Sequence, residues 1–491
     1  MKRFLLALAV VLPVAAWGAE PVPVKAPYFG IRVLDEVTGN GVPLVELRTV
    51  DGISQFTDNA GWVAFYEPGL MNREVYWHIR GPGIERAKDG FGHAGFRAET
   101  KPGTATTVTV KNTNIATRLG RLTGQGLYSD SAMLGLEHPA LNRREPGVVG
   151  QDSVQAVPYQ GKLFWLWGDT SIERYPLGNF HTTCANTAAD AHPENGLQYD
   201  YFIDPKDPKR LRKMLPSKDP GVVWMFGLTS LTNPDSNDRL FSGFTRQQGL
   251  VPPDERGIAE FDDETGQFRK VADVAKDDEW HMPAGCAVRV TEAAEDYVYF
   301  CTPYAYRRVA ALPEAIIDPQ QYEMHVFDSR TKQWQWIRAK APTTQEDEAR
   351  LLKSGAMKPN QSRYQLTDAA TEAKVAIHTA SIRWNAWRKK YVLIGVQAGG
   401  DRSYLGEVWY AESSTITGPW RKAVKIASHP KYSYYNPVHH PFFDREGGRL
   451  IYFEGTYTHT FSGTKVPTPR YEYNQLMYRL DLSDVRLEAS H

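Results

Sequence analysis

Gly150-Gln151-Asp152-Ser153-Val154-Gln155-Ala156-Val157-Pro158-Tyr159-Gln160-Gly161-Lys162-Leu163-Phe164-Trp165-Leu166-Trp167-Gly168-Asp169 reads as a strand, a turn and a strand. The first half alternates apolar and polar side chains, as a half-buried strand does. Tyr159-Gln160-Gly161 supplies the turn, and Leu163 to Trp167 is an unbroken aromatic and aliphatic run of the kind found in a buried strand. Each strand carries one carboxylate near an end: Asp152 opens the first and Asp169 closes the second. Antiparallel pairing therefore brings both acids to the same end of the hairpin. Two converging carboxylates are equipped for acid and base chemistry.

Comparable hairpins recur along the chain. Tyr297-Val298-Tyr299-Phe300, Tyr391-Val392-Leu393-Ile394 and Leu450-Ile451-Tyr452-Phe453 each follow a turn, and each is preceded by a strand that opens with polar groups. Those openings read His281 to Gly285, His378 to Ser381, and Tyr435-Asn436-Pro437-Val438-His439-His440. A further unit spans about 179 to 274. Outer strands complete the units, at 323–328 with 335–337, at 408–413 with Gly418-Pro419-Trp420, and at 476–480. Five units of about four strands predict a five-bladed β-propeller over residues 116–491. Leu119 to Leu127 precedes the first hairpin and has no blade of its own, so it is expected to close the last blade and remove an exposed sheet edge. The best helix, Gln345 to Gly355, falls between the third and fourth units as a surface insertion.

Residues 24–115 form a separate all-β pattern of short alternating runs punctuated by turn residues, which predicts a β-sandwich. The stretch Val37-Thr38-Gly39, Val42 to Leu47 and Thr57-Asp58-Asn59-Ala60-Gly61-Trp62-Val63 resembles the carboxypeptidase-regulatory-like (transthyretin-like) sandwich. That resemblance implies a packing or spacer domain, and Asp35, Asp51 and Asp58 read as turn residues. Ahead of it, Met1-Lys2-Arg3, an apolar run from Phe4 to Trp17 and Gly18-Ala19 have the form of a secretory leader over 1–19, which places the mature chain in the periplasm or outside the cell.

Composition narrows the partners. The 491 residues hold 57 Lys plus Arg and 57 Asp plus Glu, so no global field draws in nucleic acid or an anionic membrane, and a neutral substrate fits best. Three cysteines exclude a disulfide scaffold. Cys286 and Cys301 lie symmetrically about the turn Ala293-Ala294 and should face each other across a hairpin, either as a disulfide or as two buried thiols.

Strand openings in a propeller converge on one mouth. The residues expected there are Asp152 and Asp169, the cluster Asp277-Asp278-Glu279-Trp280-His281, then Glu407, and Asn436, His439, His440 and Glu454, with Trp280 and Tyr435 among the aromatics suited to stacking on sugar rings. No zinc-type spacing appears and no cofactor is called for. Lone imidazoles near His439 and His440 leave room only for a structural ion on the axis.

The segments Gly150-Gln151-Asp152 to Gly168-Asp169-Thr170, Glu412-Ser413 to Trp420, and Tyr435-Asn436-Pro437 resemble the five-bladed propeller glycoside hydrolases of the arabinanase and β-xylosidase type. In that group a first-blade Asp is the base, a second Asp tunes pKa and a Glu is the acid. Asp152 matches the first position and Glu407 the acid, while the second Asp has no secure counterpart. Catalytic carboxylates are thus expected at Asp152, Asp169 and Glu407 or Glu279, with His281, Asn436, His439, His440, Trp280, Tyr435 and Glu454 binding a carbohydrate. Two other readings stay open: a non-catalytic carbohydrate- or protein-binding propeller, and a polysaccharide lyase using His281, His439, Tyr435 or an arginine as the proton-abstracting base.

Overall fold

The computed structural model describes residues 23–138, 146–179, 181–231, 238–249 and 251–490. The leader read at 1–19 lies outside them. The fold is all-β, a sandwich followed by a five-bladed propeller.

Two four-stranded sheets make the sandwich. One runs Trp62–Phe65, Phe29–Asp35, Ala105–Asn112, Ile84–Glu85; the other runs Ser54–Phe56, Glu46–Thr49, Glu74–Arg80, Gly95–Glu99. Alternate residues of both sheets meet in one core, with Ile31, Val33 and Val108 facing Leu47, Trp77 and Ile79. Asp35 and Asp51 behave as turn residues; Asp58 does so with one oxygen, while its other accepts from the amide and hydroxyl of Ser131 at 2.8 Å. Asp35 accepts from the amides of Val37 and Thr38, Asp51 from the hydroxyl of Thr49, and Asp58 from the amides of Ala60 and Trp62.

The five blades follow in chain order. Blade one is Gln155–Tyr159, Lys162–Trp167, Thr183–Ala188 and Asp200–Tyr201, and blade two is Val222–Leu231, Arg239–Gln247, Glu255–Asp262 and Gln267–Val274. Blade three has five strands, Cys286–Glu292, Glu295–Cys301, Ala305–Ala310, Glu323–Asp328 and Gln333–Ile337. Blade four is Ile377–Asn385, Lys390–Gln397, Glu407–Ser413 and Lys422–Ser428, extended by Leu366–Asp368 and Lys374–Val375. Blade five is Ser433–His439, Leu450–Thr458, Asn474–Asp481 and, from the far end of the domain, Thr117–Arg121. The first strands of successive blades are neighbours from one to five. The ring closes where the Ser153 amide donates to Thr456 Oγ1 at 3.1 Å and Gln475 Nε2 donates to the Gln151 carbonyl at 2.9 Å.

Several boundaries move from where the sequence pattern puts them. The closing strand pairs Thr117 to Arg121 with Arg479 to Leu476; beyond it the Leu122 amide donates to the Gln475 carbonyl at 2.8 Å and Thr123 Oγ1 accepts from the Gln475 amide at 3.2 Å, so the strand pairing itself runs only to Arg121. The long second unit dissolves because Thr183–Ala188 and Asp200–Tyr201 belong to blade one. Blade four takes Lys422–Ser428 as its fourth strand; Trp420 is buried between blades three and four. The helix is Gln345–Lys353, capped by Thr344 and Asp347, and its buried Glu348 accepts from the Tyr364 amide at 3.0 Å.

Cys286 and Cys301 are direct partners across the first hairpin of blade three, both buried and both free thiols. The intervening turn holds Ala293 and Ala294 at φ 49° and 69°, the left-handed pair that a two-residue hairpin loop needs. Gln160 and Gly161, at 47° and 72°, do the same in blade one.

Candidate active site

The founding hairpin brings its two acids together as the pairing rule requires. The Asp152 amide donates to the Asp169 carbonyl at 3.1 Å, the Gly168 amide donates to the Asp152 carbonyl at 2.9 Å, and the Asp169 amide donates to Asp152 Oδ1 at 2.7 Å. Gly168 is required here: a Cβ at this position would stand 2.3 Å from Asp152 Oδ1. Behind the pair, Gln151 is fully buried, donating to Thr183 Oγ1 at 2.9 Å and accepting from the Tyr201 hydroxyl at 2.8 Å. A satisfied buried network of this kind fixes the strand that delivers Asp152.

Neighbouring blades complete the surroundings. From blade five the Tyr435 hydroxyl donates to Asp152 Oδ2 at 2.8 Å, and Tyr473 hydrogen-bonds the same carboxylate. Asn436 Nδ2 donates to Ser153 Oγ at 2.8 Å. From blade two the Trp224 indole donates to Asp169 Oδ1 at 2.8 Å. Three of these residues hold left-handed backbone, with φ of 53° at Ser153, 51° at Asn436 and 56° at Tyr473. Non-glycine residues seldom adopt it, and each instance costs about 1–3 kcal/mol, so a cluster of three around one carboxylate marks a site held against local preference.

The environments of the two acids differ. Burial raises the pKa of Asp152, opposed by hydrogen bonds from Tyr435, Tyr473, the Asp169 amide and Ser153, all of which favour the ionised form. Burial first, and then the charge of Asp152, push Asp169 up to about 7, and only the Trp224 indole works against the shift. Among the described residues no cation offsets it. Asp152, with four donors, is the better carboxylate; Asp169, with one, is the better carboxylic acid near neutral pH. Tyr435 and Tyr473 are themselves raised, chiefly by burial, so both phenols stay protonated as donors.

The remaining residues read from the sequence divide. Tyr435 and Asn436 join the pair. His439 and His440 do not: past a bulge at Asn436, His439 pairs with Phe453 while Tyr435 pairs with Thr456, so the histidines lie further along the strand, at and just past its end. There His439 Nε2 meets Asp444 at 2.9 Å, and His440 Nε2 meets the fully buried Glu454 at 2.7 Å, packed beside Trp165. Burial raises Glu454 and lowers His440, which suits a neutral hydrogen-bonded pair inside the wall. Glu407 opens the third strand of blade four, not the first, and is buried in an ion pair with Lys425 at 2.8 Å and a hydrogen bond from Ser428 at 2.9 Å. Both partners lie on the outer strand Lys422–Ser428, so the structure does not bring Glu407 to the aspartates. Glu279 is exposed, and its carbonyl accepts from Arg307 at 2.6 Å. Arg307 also lies over the Trp280 ring, 4.9 Å from its centre, and His281 is occupied by Asp278 at 2.8 Å and the Ala339 carbonyl at 3.2 Å. Among the described residues no group of three or more His, Cys, Asp or Glu is arranged to hold a metal ion, and no helix is long and apolar enough to cross a membrane.

Nothing in the local sequence marks Tyr473 or Trp224, because each reaches the pair from another blade.

A carboxylate pair where blade one meets blade five of the propeller defines the candidate site. No family model matches the chain, and no curated protein matches it. Among solved structures, it is similar to the endo-1,5-α-L-arabinanase of Thermotoga petrophila RKU-1, at 11% identity over 68% of this chain and 72% of that one, with a TM-score of 0.35. It is similar also to a mutant α-L-arabinanase of Cellvibrio cellulosa, at 7% identity over 68% and 92% with a TM-score of 0.36. The GH43_1 enzyme of Xanthomonas citri complexed with xylotriose gives 10% identity over 68% and 86%, with a TM-score of 0.33.

Proposed function

We propose that the protein is a glycan-active hydrolase whose chemistry rests on Asp152 and Asp169. The observation that carries this reading is the asymmetry of the pair: one half-buried carboxylate accepts hydrogen bonds from two tyrosines that favour its ionised form, and its neighbour, with a single indole donor, has its pKa pushed up to about 7. Glycosidic bond cleavage needs an acid to protonate the leaving oxygen and a carboxylate to act as base or nucleophile. Asp169 supplies the first function and Asp152 the second. The tyrosine donors orient Asp152 without competing as bases, since their pKa values are raised. A neutral sugar suits the site, because an anionic one would meet two acids.

The test is digestion of a panel of neutral and acidic polysaccharides by wild type and Asp152→Asn, with reducing ends and absorbance near 235 nm followed together. Hydrolysis that Asp152→Asn abolishes supports the proposal. Unsaturated products would make the protein a lyase, and binding without turnover would make it a binding propeller.

A further inference from the structure

The segment 459–473 joins the strands Leu450–Thr458 and Asn474–Asp481 of blade five, and its last residue is the Tyr473 that bonds Asp152. The segment is pinned at several points. His459 Nδ1 meets Glu472 Oε1 at 2.7 Å, joining its two ends; Ser433 Oγ donates to the Thr460 carbonyl at 2.6 Å, Ser462 Oγ donates to the His459 carbonyl, and the Tyr432 hydroxyl donates to the Val466 carbonyl at 2.7 Å. Between these anchors stands Phe461. Its ring is 61% exposed, its φ is 62°, and its edge meets Tyr435 with centroids 5.9 Å apart at 81°. Tyr435 is the residue whose hydroxyl holds Asp152.

Each of these features alone is ordinary, but together they are not. A phenylalanine gains little by standing in water, and a bulky side chain is disfavoured in left-handed backbone. Folding repays neither cost, yet the neighbours on both sides are fixed by hydrogen bonds so that the ring is presented rather than tucked away. A second exposed aromatic stands in a blade-four loop that also packs against Tyr435. Tyr404 is 58% exposed in the turn closed by the Gly399 amide on the Tyr404 carbonyl at 2.9 Å, and the next residue, Leu405, packs with Val396 against Tyr435. Tyr435 is thus contacted by two loops, each displaying an aromatic side chain to solvent.

We infer that Phe461, with Tyr404, is a preformed stacking platform for a neutral sugar ring bound next to Asp152. The occupant follows from the chemistry around it: a sugar offers a face of C–H groups that covers an aromatic ring and a rim of hydroxyls that reaches the polar floor of Asp152, Asn436 and Ser153. An acidic sugar would face the two aspartates. The inference rests on the glycan reading, but it does not require catalysis.

The experiment uses the full chain carrying Asp152→Asn, run in native gels containing arabinan, xylan or β-1,3-galactan as neutral probes, polygalacturonate as the acidic probe and chitosan as the cationic one. At least one neutral polymer retards the protein, and adding Phe461→Ala raises its apparent dissociation constant about tenfold, with a smaller loss for Tyr404→Ala. Phe461→Gly weakens binding equally while raising Tm, since glycine accepts the left-handed backbone freely. The proposal is overturned by undiminished binding in Phe461→Ala, by binding of only polygalacturonate or chitosan, by no binding at all, or by a fall in Tm for Phe461→Gly, which would give the ring a structural role. Phe461-dependent binding combined with undiminished hydrolysis by Asp152→Asn leaves the platform standing and removes the catalytic assignment.

Discussion

The hydroxyl of Tyr435, on the first strand of blade five, donates a 2.8 Å hydrogen bond to Oδ2 of Asp152, at the entry to the first strand of blade one. The contact spans the seam at which the propeller closes on itself. Closure of the ring and assembly of the carboxylate site are therefore the same event. A change that loosens the pairing of Thr117–Arg121 with Asn474–Asp481 should disturb both.

Asp169 gives the site its pH dependence. With a folded pKa near 7 against an ordinary 3.8, it binds more protons in the folded chain than in the unfolded one between those values. Its contribution to stability is fully present below about pH 4 and is lost as pH rises through about 7. Asp169→Asn should flatten that part of the stability curve measured by denaturant titration. It should also abolish the fall in wild-type turnover expected as pH rises through about 7, with a residual rate lower by about 10²–10⁴.

Hydrogen bonds from Tyr435 and Tyr473 oppose the burial that raises the pKa of Asp152. Tyr473→Phe and Tyr435→Phe should each raise that pKa further and shift the acidic limb of the pH–rate profile upward. The double variant should shift it most. Carbon-13 carboxyl titration of labelled aspartate reads the same change without any substrate, and an unmoved resonance would remove the tyrosines from this role.

Gly168→Ala is a test of geometry alone. The added methyl would fall 2.3 Å from Asp152 Oδ1, displacing the carboxylate from the Asp169 amide. The variant should stay folded by circular dichroism and lose at least tenfold in kcat, the scale of a small misplacement of a reacting group.

Glu407→Gln should behave as a structural substitution. Glu407 is buried and paired with Lys425, so losing its charge should cost about 1–3 kcal/mol of stability, the scale for a buried polar group losing a charged partner. Turnover per folded molecule should be unchanged. A loss of turnover at unchanged stability would return Glu407 to the catalytic set.

The hairpins were legible because their determinants are local. Alternation in Gln155–Tyr159, the aromatic run in Lys162–Trp167 and the turn at Gln160-Gly161 fix one strand pair, and that pair sets Asp152 beside Asp169 wherever the hairpin lies. The same logic placed Cys286 opposite Cys301. Strand patterning already reads 408–413 as an outer strand, and Glu407 is set at the mouth only as a polar strand opening and through the family resemblance; in the structure it begins the third strand of blade four. An apolar run with polar neighbours does not say which end of a strand faces the mouth. Tyr435 and His439 lie four residues apart on one strand, yet a bulge between them leaves Tyr435 with Asp152 and His439 with Asp444. The company Asp152 keeps was decided only by tertiary structure: Tyr473 reaches it from 321 positions along the chain because Thr117–Arg121 pairs with the last strand and draws blade five against blade one. Local propensity specifies a strand and its turn, whereas a site built across a ring seam exists only once the sheets have packed.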